Sequence, residues 1–121
     1  MKRIEKSLEG CGHNLALLVR TAALAALEAG GIIRDMYENP HQVRLKGAID
    51  LVTEADIASE KAILARLAQR FPGSNVLAEE SCSDYENIPV GPVCIVDLLD
   101  GTTNFAHGFP YFCVSIAYSF D

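Results

Sequence analysis

Four successive apolar residues, Val93, Cys94, Ile95 and Val96, offer no polar alternation, so they read as a strand buried on both faces. The run ends in a carboxylate, Asp97, and a second carboxylate, Asp100, stands directly ahead of Gly101-Thr102-Thr103-Asn104-Phe105. The pattern predicts a strand, a turn between the two carboxylates, and a short helix after Gly101. Acidic groups facing one space across such a turn repel each other unless a cation sits between them. Gly101 permits close backbone approach, and free N–H groups opening the helix offer an anion site. A metal beside a phosphate pocket is the economical reading of the whole block. Taken singly, Asp97 is equally a turn residue and Asp100 a helix cap.

The remaining segments supply elements to pack around that strand. Apolar residues recur at helical spacing through Leu15, Leu18, Ala22, Ala25, Ala29, Ile33 and Met36, predicting a helix over 14–37 that Asn39-Pro40 ends. Residues 42–52 read as a small hairpin around Gly47. Thr53-Glu54-Ala55-Asp56 reads as a capped helix start, with Asp56 as the capping acid and the helix running to Arg70. Val76 and Leu77 predict a short strand leading into Glu79-Glu80, residues 81–92 a polar loop, and 112–120 a last strand. A strongly apolar strand without partner or cover finishes a core poorly. The chain is therefore expected to be part of something longer: a single incomplete domain over 1–121, with 1–12 as a tail.

Charge narrows the class of function. The 121 residues carry a formal charge of −6, and all ten basic residues lie at or before Arg70, whereas the positions beyond carry seven carboxylates and no Lys or Arg. A basic nucleic-acid-binding face is not expected, and a carboxylate cluster without basic neighbours is a solvated surface or a cation site. Cys11, Cys82, Cys94 and Cys113 form no Cys-x-x-Cys, so zinc ribbons and redox dithiols are disfavoured; Cys94 and Cys113, inside apolar runs, read as small core residues. The histidines do not pair at ligand spacing, and no nucleophile elbow or Walker loop is present. Residues 1–10 lack an apolar signal region, and Arg20 and Glu28 interrupt the apolar stretch that follows, so neither leader nor membrane span is expected and the cytoplasm is the default.

Taken together, Asp50-Leu51-Val52-Thr53-Glu54-Ala55-Asp56, Ala78-Glu79-Glu80-Ser81 and Ile95-Val96-Asp97-Leu98-Leu99-Asp100-Gly101-Thr102-Thr103-Asn104-Phe105 resemble the inositol monophosphatase family. The match continues through His107, Phe109-Pro110 and Val114-Ser115-Ile116, covering residues 46–117. The resemblance implies the N-terminal portion of an α/β layered fold, an αβαβα sandwich of the inositol monophosphatase/fructose-1,6-bisphosphatase type. It implies a magnesium-dependent phosphomonoesterase acting on inositol monophosphate or a related small sugar phosphate, with two or three Mg2+ ions, Mn2+ as a substitute and lithium as a competitor. A 3′-nucleotidase or sugar bisphosphatase of the same superfamily is the alternative within enzymes; an inactive fragment or interaction module is the alternative outside them.

By resemblance, Glu79, Asp97 and the carbonyl of Leu99 hold the first metal, and Asp97 with Asp100 supply the shared and second-metal carboxylates. Thr102, with Glu79 and Asp56, orients the attacking water. The N–H groups of Gly101 and Thr102 hold the phosphate, and Lys46, by itself a hairpin lysine, sits beside the metals. Hard oxygen donors suit magnesium, and paired ions suit in-line phosphoryl displacement. The partners implied are a small phosphorylated polyol and, in a full-length form, a second copy in a homodimer, with no nucleic acid and no membrane. Two departures stand out. Leu98 occupies a position where the family pattern has proline, and the family's second half, with a further metal aspartate and most substrate contacts, has no counterpart in these residues.

Overall fold

The computed structural model describes residues 1–7, 9, 12–39, 48–78 and 90–120. In chain order the elements are α1 (Lys2–Ser7), α2 (His13–Glu38), α3 (Ala48–Arg70), β1 (Asn75–Ala78), β2 (Val93–Asp100), α4 (Thr102–Ala106) and β3 (Cys113–Ser119). The strands form one sheet in the order β1-β2-β3, with β1 parallel and β3 antiparallel to the central β2. Helices α2 and α3 pack against each other and against the sheet. This is the α/β layering expected of the N-terminal portion of the sandwich.

Helix α2 follows the apolar spacing, burying Ala25, Ala29 and Ile33. Its end is fixed by Asn39, whose backbone N–H donates to the Asp35 carbonyl at 3.0 Å and whose side-chain Nδ2 donates to the same oxygen at 3.2 Å. Proline at the next position removes the donor a further turn would need. The residues read as a tail include α1, which the Glu5 carboxylate ties to Arg20 of α2 at 2.6 Å.

Helix α3 corrects two expectations. It already includes Ala48, so Ile49 and Leu51 are helical rather than the second strand of a hairpin, and Thr53 lies well inside the helix rather than at its cap. The remainder of the predicted hairpin, 42–47, lies outside the described residues. Packing explains the extension: Val52, Ala55, Ser59, Ile63 and Leu67 follow one another at three- and four-residue spacing and form the inward stripe. The stripe begins before the capping signal, and tertiary burial overrides it. Ser59, fully buried, donates back to the Ala55 carbonyl at 2.8 Å, so its hydroxyl costs the core no unpaired polar group.

Two apolar clusters hold the layers together. Ala25, Ala29, Ile63 and Leu67 meet Cys94, Val96 and Leu98 of β2, while Ile33 and Ala55 meet Leu99 and Phe105 nearer the end of the strand. Each large side chain removed from water here contributes roughly 1.5–3 kcal/mol. The strand is not buried on both faces as its composition suggested: Cys94 and Val96 face the helices, but Ile95 is 43% exposed on the other side. Cys94 is a core thiol as expected, and burial pushes its pKa up; Cys113 is exposed, contrary to expectation. Nor is the last strand unpartnered, since β3 pairs with β2 from Ser119 opposite Val93 to Cys113 opposite Asp100, and α2 packs on it.

Candidate metal and phosphate site

The site is built by an irregularity in β2. In a regular strand, residues three apart point to opposite faces of the sheet. Here Asp97 pairs with Ser115 and Asp100 with Cys113, so three steps along β2 match two along β3. The central strand therefore carries one extra residue, a β-bulge. Its signature is that adjacent Leu98 and Leu99 are both buried, 1% and 2% exposed, one in each apolar cluster. With both leucines turned inward, Asp97 and Asp100 fall on the same outward face. The expected turn between them is absent: β2 runs unbroken to Asp100.

The electrostatics agree with this placement. The exposed Cys113 thiol stands 3.9 Å from Asp100 Oδ2. Its pKa is raised by partial desolvation and then by the negative charges of Asp100 and Asp97. Leu98 contributes to the core from within the bulge, so its role is packing rather than the stiffness of a turn. A bulge is also one of the few strand positions that tolerates proline.

Beyond Asp100 the chain turns sharply. Gly101 has φ 92° and is the N-cap of α4, with no side-chain cap hydrogen bond. The N-cap position is thus held by Gly101 rather than by Asp100. The first hydrogen bond of α4 runs from Phe105 N–H to the Gly101 carbonyl at 3.0 Å, leaving the N–H groups of the preceding residues without intrahelical acceptors. Thr102 is the half-buried first residue of that helix. A cleft of about 480 Å³ opens beside it, lined by Asp100, Gly101, Asn104, Tyr111, Phe112 and Cys113 among others.

The wall of this cleft is the α4–β3 connection. A Cβ at Gly101 would lie 2.8 Å from the Tyr111 carbonyl oxygen and 3.2 Å from the Phe112 Cα. Asn104 Nδ2 donates to that same Tyr111 carbonyl at 2.8 Å. From α2, Tyr37 places its ring 5.8 Å from Phe105 and 5.2 Å from Phe112, and its hydroxyl donates to the Gly108 carbonyl at 2.5 Å.

The expected residues divide into three groups. Asp97, Leu99, Asp100, Gly101 and Thr102 are brought together as one corner. Asp56 is buried, 7% exposed, on α3, and its neighbour Ala55 packs against Leu99 and Phe105, so α3 runs alongside that corner. Glu79 and Lys46 lie outside the described residues; β1 ends at Ala78, whose partner is Val96, the residue before Asp97. Among the described residues no three His, Cys, Asp or Glu side chains converge as a closed metal cage. Two carboxylates on one face with a neighbouring carbonyl are nevertheless the hard oxygen donors that a small divalent cation takes, with water filling the rest of its shell. The donor set fits such an ion.

The model of the Inositol monophosphatase family matches residues 14–120. The chain belongs to the inositol monophosphatase family. Inositol monophosphatase 3 of Solanum lycopersicum is 47% identical over 103 residues, 83% of this chain and 38% of the relative. Inositol monophosphatase 1 of Sus scrofa is 36% identical over 100 residues, 80% of this chain and 36% of the relative. Among solved structures, inositol monophosphatase-II from Staphylococcus aureus MSSA476 superposes with a TM-score of 0.72 at 33% identity, covering 86% of this chain and 38% of that one. The extragenic suppressor protein suhB from Bartonella henselae gives 0.69 at 36% identity, over 85% of this chain and 39% of that one. The chain thus spans under two-fifths of the length of these relatives. Of the sequence blocks that suggested the family, 50–56 falls on α3, 95–105 on β2 and α4, and 114–116 on β3, while the block that begins at Ala78, the end of β1, otherwise lies outside the described residues.

Sequence reasoning missed two residues at this corner. Asn104 sits inside the motif, where its side-chain bond to the Tyr111 carbonyl has no local signal. Tyr37 is 71 positions from its acceptor and carries no pattern that links them.

Proposed function

We propose that the chain carries the metal-binding part of a magnesium-dependent phosphomonoesterase acting on inositol monophosphate or a related small sugar phosphate. The observation that carries this reading is the bulge that turns Asp97 and Asp100 to one face directly before Gly101 and Thr102. Family membership supports a phosphatase reading, and one structural neighbour is the crystal structure of inositol monophosphate bound to SaIMPase-II (33% identity, TM-score 0.64). The crystal structure of SaIMPase-II bound to 2′AMP is another, which keeps a nucleotide phosphate as the second reading (31% identity, TM-score 0.67).

Asp97, Asp100 and the Leu99 carbonyl, with Glu79 from the preceding block, are the groups assigned to hold magnesium or manganese. When bound, such ions neutralise charge on the phosphoryl oxygens and acidify a water molecule. The Thr102 hydroxyl directs that water in line with the bond to be broken, with Asp56 and Glu79 assigned to support it. The N–H groups of Gly101 and Thr102 face the phosphoryl oxygens, where charge grows in the transition state. No side chain is required as a nucleophile, since water attacks phosphorus directly. Lithium competition at the second metal, a homodimeric full-length form and a cytoplasmic location belong to the same proposal.

Calorimetric titration with Mg2+ or Mn2+ tests the core of it. Binding is expected to weaken most in Asp97→Asn, because Asp97 is the carboxylate that would serve both ions. Unchanged affinity in that variant removes Asp97 from the site.

A further inference from the structure

We propose that Tyr37 is a positioning residue for the candidate site, bracing from α2 the wall against which Gly101 rests. What it positions rests on the metal-and-phosphate reading above; the brace itself rests on geometry alone. Gly101 is pressed against backbone, the Tyr111 carbonyl and the Phe112 Cα, so the orientation of the Asp100-Gly101-Thr102 corner depends on where residues 111 and 112 stand. Asn104 holds that segment from inside α4. Tyr37 holds it from outside, touching all three parts of the connection at once. Its ring packs on Phe105 of α4 and on Phe112 at the entry to β3, and those two rings meet edge to face at 5.1 Å. Its hydroxyl donates to the carbonyl of Gly108, the residue with φ 71° where the chain leaves α4.

The ring contacts alone would be served by phenylalanine. The hydroxyl adds a directional tie between α2 and a carbonyl just past α4, and so short a connection, tied within itself, loses freedom at both ends. One end is α4, which begins at Thr102; the other is Cys113, the partner of Asp100 across the sheet. Loosening the tie therefore reaches both sides of the corner.

Amide hydrogen exchange and Mg2+ calorimetry on the 121-residue chain test this together. Tyr37→Phe keeps the ring contacts and removes only the hydroxyl bond. It is expected to speed exchange at amides within 101–112 by roughly three- to ten-fold, the worth of one partly exposed hydrogen bond, while Ala25 and Ile63 in the helical core exchange as before. Mg2+ affinity is expected to fall several-fold, and Tyr37→Leu to extend both effects. Exchange within 101–112 that is unchanged in Tyr37→Phe, or that rises equally in the α2–α3 core, overturns the brace. If the wild-type chain binds Mg2+ and Tyr37→Phe binds it equally well, the positioning role is overturned. If the wild type binds no Mg2+ while 101–112 alone responds, the brace stands and the metal reading fails.

Discussion

Gly101 meets two demands that no other residue satisfies together. Its φ of 92° lies where a Cβ is strained, and the space a Cβ would take is held by the Tyr111 carbonyl 2.8 Å away. The first demand costs roughly 1–2 kcal/mol for an L-residue, and the second adds backbone displacement, because the obstructing atom is not a side chain that can rotate aside. Gly101→Ala is therefore expected to lower stability by about 2–4 kcal/mol in urea unfolding, within the range of strained special positions. A loss under about 0.5 kcal/mol, the scale of an ordinary surface substitution, would mean the connection yields freely. Thr102 presents a contrasting case, since its side chain is assigned to chemistry rather than fit. Thr102→Ala in a full-length form is expected to reduce kcat by about 10²–10⁴-fold with KM little changed, as for other positioned proton-transfer groups. A change confined to KM would show that Thr102 binds phosphate without directing water.

At the scale of elements, α2 shows a place where stability is left unoptimised. Gly30 and Gly31 interrupt its last turns, yet nothing lies within 4 Å of a Cβ built on either. Gly31→Ala is expected to raise stability by about 0.5–1 kcal/mol, the helix-propensity gap between the two residues, measured as a shift in urea midpoint. A loss instead would mean that something packs on that face in solution. The same helix was legible in the sequence because its apolar spacing is long and its stop signal, Asn39-Pro40, is local. Helix α3 was legible only from its second turn onward: the acids and threonine at 53–56 imitate a cap, while the burial of Val52 and Ala55 that extends the helix is decided by α2 and α4. The bulge in β2 was invisible for a related reason. A run such as Val96-Asp97-Leu98-Leu99-Asp100 gives no sign that both leucines turn inward, because the register is set by β3. The sequence reading set the two carboxylates on one space through a turn; the structure has no turn there, and the extra residue in the strand is what puts them on one face.

For the molecule as a whole, the outward apolar surface sets the behaviour of the isolated polypeptide. Helix α2 is long and apolar enough to cross a bilayer by length and composition, yet its inward face is core and Glu28 pairs with Arg66 of α3 at 2.7 Å. Beside that core, the first half of α2 and the helix-facing side of β3 enclose an open apolar groove of about 450 Å³, lined by Leu15, Leu18, Val19, Val114, Ile116 and Phe120 and reaching Leu67 and Cys94 of the core. Phe120 is 61% exposed at its end, and β3 has a strand on one edge only among the described residues. An apolar groove beside an open strand edge favours self-association. Among the described residues, only Asp97 and Asp100 are set together on this face. The purified 121-residue chain is therefore expected to associate at micromolar concentration through the 112–120 segment and the groove, and to release phosphate from inositol 1-phosphate weakly or not at all. Light scattering run beside a phosphate-release assay checks both, with Val19→Glu as the control that should shift the chain toward monomer by placing a charge in the groove. Robust turnover by a monodisperse monomer would overturn this expectation, and would mean that the corner formed by Asp97, Asp100 and Thr102 suffices for chemistry with its apolar flank left open to water.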